Sequence, residues 1–139
     1  MTGPTSWDVA ALRDGVGVAA LGAVPFGVIG RLVLDDDASG GTRGALALFS
    51  VLVLAALVLG GGVAAWRQRL GRPLSHGIAT ALVTFTVVQA VGIVRRLAAG
   101  DDIRWSRIVS SALLSLMAGT LGGLLGAFLQ GRGVTSRRP

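Results

Sequence analysis

Polar and apolar positions in this chain fall into long blocks rather than short alternations. Three stretches carry no charged residue over a length that crosses a bilayer: Gly44 to Trp66, Pro73 to Val94 and Ile108 to Gly131. About 20 apolar residues rising roughly 1.5 Å each cover the hydrocarbon core of a membrane, so each stretch predicts a spanning helix. A fourth, Gly15 to Gly30, is followed by Arg31 and then Leu32-Val33-Leu34. An Arg at mid-membrane costs about 2.5–3.5 kcal/mol, but near a helix end it snorkels to the headgroups, here with Asp35 one turn on as a partner. The pattern therefore predicts four spans, at about 15–34, 44–66, 73–94 and 108–130. The expected fold is all-α, an integral membrane four-helix bundle forming one domain over residues 1–139, with no soluble domain, linker or tandem repeat.

Local signals refine the ends. Pro73 fits the first turn of the third helix, Asp101 or Asp102 suits the N-cap of the fourth, and Pro25 predicts a kink in the first. Trp66 and Trp105 fall at span ends, where indoles anchor at headgroup level, and Arg67, Arg69 and Arg72 flank the same boundary. Trp7 suits a short amphipathic lead-in. The leader carries Asp8, Arg13 and Asp14 instead of a basic n-region, so the first span is expected to be retained rather than cleaved.

Four spans put both termini on one side. That side would hold Arg13, Arg67, Arg69, Arg72, Arg132, Arg137 and Arg138; the other would hold Arg31, Arg43, Arg95, Arg96, Arg104 and Arg107. Seven against six is a narrow margin under the positive-inside rule. The acidic Asp35-Asp36-Asp37 turn and the Asp101-Asp102 pair on the sparser side tip the expectation to cytoplasmic termini in the cell membrane.

Composition agrees with the blocks. Apolar residues make up 52% of the chain and charged ones 14%. That is too little charge to cover a soluble surface. Every basic residue is Arg and every acid is Asp, a vocabulary suggesting a high-GC bacterium. The absence of Cys excludes disulfides and thiolate chemistry. The net charge of +6 points to anionic lipid headgroups rather than nucleic acid, because the arginines sit between and beside apolar runs.

The strongest physical signal is a face of small residues. In the fourth span Ser111, Ala112, Ser115, Gly119, Gly122, Gly123, Gly126 and Ala127 lie within about 80° of Gly119 on a helical wheel. Leu113, Leu114, Met117, Leu121, Leu124, Leu125 and Phe128 take the opposite side, and Leu116 is the exception within the small face. Small residues every fourth position let helix backbones approach closely in lipid, so Ser111, Ser115, Gly119, Gly122, Gly123 and Gly126 are the expected packing surface. Weaker ladders occur in the first span (Gly15, Ala19, Ala23, Gly27) and the second (Ala56, Gly60, Ala64).

Candidate chemistry is sparse. His76, the one histidine, could serve as a proton relay, but it reads more simply as a headgroup-level residue without a partner. Thr80, Thr84, Thr86 and Gln89 scatter over more than half the circumference of the third helix, which favours interhelical hydrogen bonds over a pore lining. All seven Asp lie in the leader or loops, where a solvated surface outweighs acid–base catalysis. No nucleotide-binding loop, dinucleotide fingerprint or zinc spacing occurs. No cofactor, metal or enzymatic activity is expected.

Gly60-Gly61-Gly62 leading to a short basic turn, then Leu74-Ser75-His76-Gly77, then the run from Gly119 to Gly126 resemble the YrzE-like family of small four-span, Gly-rich bacterial membrane proteins of unknown function. About half the chain carries the resemblance, which implies a small Gly-rich bacterial membrane protein and no activity. The expected function is a non-enzymatic accessory or assembly component acting through helix packing, with the lipid bilayer and a second copy or another membrane protein as partners. The alternative is a small oligomeric transporter or channel, with Arg31 or Arg95 and Arg96 as entrance charges.

Overall fold

The computed structural model describes residues 7–33, 40–103 and 105–134, with side chains described outside 30–43. Four helices follow one another, α1 (Val9–Val33), α2 (Gly40–Arg67), α3 (Pro73–Ala99) and α4 (Trp105–Gly131), and each is long and apolar enough to cross a membrane. The chain is an all-α four-helix bundle, with no strand among the described residues.

Several helix ends differ from expectation, and α2 starts at Gly40, ahead of its charge-free stretch. α1 begins six residues before the first apolar block, because the Asp8 carboxylate accepts the Ala11 N–H (3.0 Å) and caps a helix that takes in Arg13 and Asp14. Its candidate span is Val9–Ile29, and the Arg31–Asp35 pairing lies outside the described side chains. α1 stays helical on both sides of Pro25, whose missing N–H leaves the Leu21 carbonyl without its usual donor. α4 starts at Trp105, so its cap position is residue 104, outside the described residues, and neither Asp101 nor Asp102 fills it. Those aspartates instead follow the close of α3. Gly100 takes the left-handed conformation (φ 75°), and the Asp101 N–H reaches the Arg96 carbonyl at 2.9 Å. This closure satisfies carbonyls that the end of α3 would otherwise leave open. Pro73 occupies the first turn of α3 as anticipated.

The helices pack in the ring order α1–α2–α4–α3. α2 and α3 also touch across it, while α1 and α4 do not meet among the described residues. Within each hairpin the axes close on a pair of glycines. A Cβ placed on Gly15 would lie 2.6 Å from the Gly60 carbonyl oxygen, and one on Gly60 would lie 2.6 Å from that of Gly15. Gly77 and Gly119 show the same reciprocity between α3 and α4, at 2.6 and 3.0 Å. Each glycine thus aims an α-hydrogen at its partner's carbonyl, a contact worth roughly 0.5–1 kcal/mol. Alanines extend both nodes one turn on: Ala19 against Gly60, Ala81 against Gly119. The two hairpins therefore share one packing unit, Gly-x3-Ala facing Gly-x3-small, a correspondence confined to so few positions that no tandem repeat shows in the sequence.

Between hairpins, Gly122 meets the backbone of Val58 and Gly62, and Gly126 meets Ala65 and the Gly62 carbonyl. Buried residues gather in the half of the bundle nearest the α2–α3 turn; beyond mid-helix, Gly92 is the one buried position on α3. Leu113, Leu114, Met117, Leu121, Leu124, Leu125 and Phe128 are exposed, as is Leu116 at its margin. In lipid there is no hydrophobic drive to bury such side chains, so dispersion between closely approached backbones has to hold the helices.

Candidate functional site

Polar side chains converge at the densely packed end, where the start of α1, the α2–α3 turn and the end of α4 meet. Two glutamines organise the turn. Gln68 is almost fully buried, and its Oε1 accepts the N–H groups of Leu70 (2.7 Å) and Arg72 (3.2 Å), folding residues 68–72 around one amide. Gln130, from the last turn of α4, donates through Nε2 to the carbonyls of Ala65, Trp66 and Gln68 at 3.0, 3.1 and 3.0 Å. Two hydrogens shared among three acceptors satisfy the carbonyls that a helix C-terminus leaves open. A weaker contact joins Gln68 Nε2 to Gln130 Oε1 at 3.4 Å.

Charged groups ring this amide pair. Arg67 Nη1 meets Asp14 Oδ2 at 2.9 Å with both side chains partly buried, tying α2 to α1, and Arg13 approaches the same carboxylate at 3.7 Å. Arg69 and Arg72 are exposed, and Arg132 lies 4.3 Å from the Phe128 ring centroid. Trp66 is half-buried and donates Nε1–H to the Val134 carbonyl at 2.6 Å, so it braces the chain beyond α4. Trp105, at the opposite end, is exposed.

His76 departs most from the sequence reading. It is fully buried, and both ring nitrogens have partners where none was expected. The Asp8 backbone N–H donates to Nε2 at 3.1 Å, and Nδ1 lies 2.9 Å from the Arg72 carbonyl. A backbone N–H can only donate, so this bond needs a lone pair on Nε2, and a neutral ring bonded in this way carries its proton on Nδ1. Trp7 lies across it, ring centroids 5.3 Å apart at 58°. A pocket of about 170 Å³ opens between Trp7, Arg72, Ser75 and His76. The partner was invisible in sequence because it is a main-chain group 68 residues away.

One and two turns beyond His76, Thr80 and Thr84 are buried on the same face of α3. Thr84 donates to the Thr80 carbonyl in its own helix (2.9 Å), whereas the Thr80 hydroxyl has no hydrogen-bond partner among the described residues. Thr86 is exposed. Of the four polar residues expected to bond between helices, Gln89 does, through Nε2 to Ser111 Oγ at 3.2 Å.

The α4 packing residues divide by depth. Ser115, Gly119, Gly122, Gly123 and Gly126 are buried; Ser111, toward the looser end, is half-buried. Gly119 and Gly123 face α3, and Gly122 and Gly126 face α2. Among the described residues no group of three or more potential metal-ligating side chains comes together. No protein-family model, curated protein or solved structure matches this chain.

Proposed function

We propose that this multi-pass membrane protein is a non-enzymatic assembly component of a bacterial cell membrane, with cytoplasmic termini, that presents a rigid, close-packed bundle to a second copy or to another membrane protein. The observation that carries this reading is how the interior is filled. Backbone stands against backbone at Gly61, Gly77, Gly119 and Gly122, where an added Cβ on any of the last three would fall within 3.0 Å of a neighbour. That packing gives a stiff body and leaves little width for a solute to pass between α2, α3 and α4. Partners would meet the outer surface, where Leu113, Met117, Leu121 and Val91 are exposed, through dispersion contacts in lipid. The exposed arginines of the α2–α3 turn would bind anionic headgroups and fix the depth of the bundle.

Affinity purification in mild detergent, read by mass spectrometry, tests the proposal. A stoichiometric membrane-protein partner or a defined homo-oligomer supports it. Solute flux in proteoliposomes holding the purified protein alone would establish the transporter alternative in its place.

A further inference from the structure

We propose that His76 is a pH-sensitive latch: in its neutral form it holds the segment at Trp7 and Asp8 against the start of α3, and protonation releases that segment. The Asp8 N–H points at Nε2 from 3.1 Å, and the imidazole is fully buried. A proton on Nε2 sets donor against donor, and the buried ring has no room to turn that proton away while it stays docked. Nδ1 offers no escape, because it already donates to the Arg72 carbonyl. Imidazole is the side chain whose ordinary charge change falls between about pH 5 and 8. This chain has one.

The surrounding charges define the response. From α1 and the residue before it come Asp8, whose carboxylate caps Ala11, and Asp14, held by Arg67 and approached by Arg13. α2 contributes Arg67, and α3 is preceded by Arg72. α4 carries no charged residue between Ile108 and Gly131. For the Asp8 carboxylate to pair with an imidazolium it would have to abandon the Ala11 N–H, so the cap of α1 opposes that re-pairing and favours release of the segment. Trp7, half exposed while latched, would swing clear and uncover the side of the pocket formed by Arg72, Ser75 and His76.

The chain has three tryptophans and no tyrosine, so Trp66→Phe with Trp105→Phe leaves Trp7 as the sole strong fluorophore. Acrylamide quenching of this protein in detergent is followed from about pH 8 to about pH 5, beside circular dichroism and size-exclusion chromatography. The quenching constant should roughly double as the half-exposed indole becomes fully exposed, with helicity and elution unchanged and full reversal on return. Adding His76→Gln should abolish the step. Should that variant misfold, Asp8→Pro removes both the N–H donor and the carboxylate cap while keeping the histidine, and should give high quenching at every pH. A flat profile with His76 present, or the same step retained in His76→Gln or Asp8→Pro, would overturn the latch.

Discussion

Gly77 and Gly119 each aim an α-hydrogen at the other's carbonyl oxygen, so that α3 and α4 meet along their main chains rather than through side chains. Gly15 and Gly60 repeat the relation between α1 and α2. Removing side chains at these positions brings the dispersion-rich backbones together, and in lipid that is the available attraction. The consequences can be measured residue by residue.

Glycines in the nodes should respond oppositely to glycines outside them. Gly15→Ala and Gly77→Ala each place a Cβ 2.6 Å from main-chain atoms of the facing helix. Overpacking of that kind costs about 1–3 kcal/mol. A Cβ at Gly17 meets nothing within 4 Å. Gly17→Ala should therefore be neutral or gain about 0.5–1 kcal/mol of helix propensity. Thermal unfolding in detergent separates the two classes, and equal behaviour would rule out the glycine nodes as close contacts.

Gln130→Glu tests the amide that closes α2. The substitution preserves size but takes away the Nε2 donor and turns a carboxylate toward three carbonyls. Stability in detergent unfolding should fall by about 1–3 kcal/mol, the cost of leaving buried polar groups unsatisfied. Gln89→Leu loses one interhelical bond, to Ser111. It should cost only about 0.6 kcal/mol.

The span count and the small face of α4 were legible in sequence because both rest on local periodicity: length of apolar run in one case, residues three and four apart in the other. The α1 boundary was less so, since Asp8, Arg13 and Asp14 read as a charged leader until the Asp8 cap and the Asp14–Arg67 pairing show α1 starting at Val9 and taking in Arg13 and Asp14. His76 and Gln130 were illegible for another reason. The partners that tie them to other segments are main-chain groups 68 and 62–65 residues away, and backbone donors and acceptors carry no sequence signature.

Both described chain ends lie at one pole, and the proposed orientation makes that side cytoplasmic. Trp7, the α2–α3 turn and Val134 meet at one pole, through the Asp8–His76 and Trp66–Val134 bonds. Reporter fusions after Pro139 and within residues 38–41 should therefore give opposite readouts, with the C-terminal fusion cytoplasmic. An external C-terminus would reverse the proposed orientation.

The rigid-bundle reading rests on the close contact between α3 and α4, and a pair of substitutions on α4 gives the sharpest test of it. Gly123 faces Leu74, whose Cα would stand 2.9 Å from a Cβ at that position, whereas Leu121 is exposed. Gly123→Ile has to push the helices apart, while Leu121→Ile changes shape on the outer face with little change in volume. Both variants are followed by thermal unfolding in detergent and then by size-exclusion chromatography. Gly123→Ile is predicted to unfold and lose assembly well below the temperature of Leu121→Ile, which should track the unsubstituted protein; equal stability and equal assembly of the two would contradict a bundle held by its backbones.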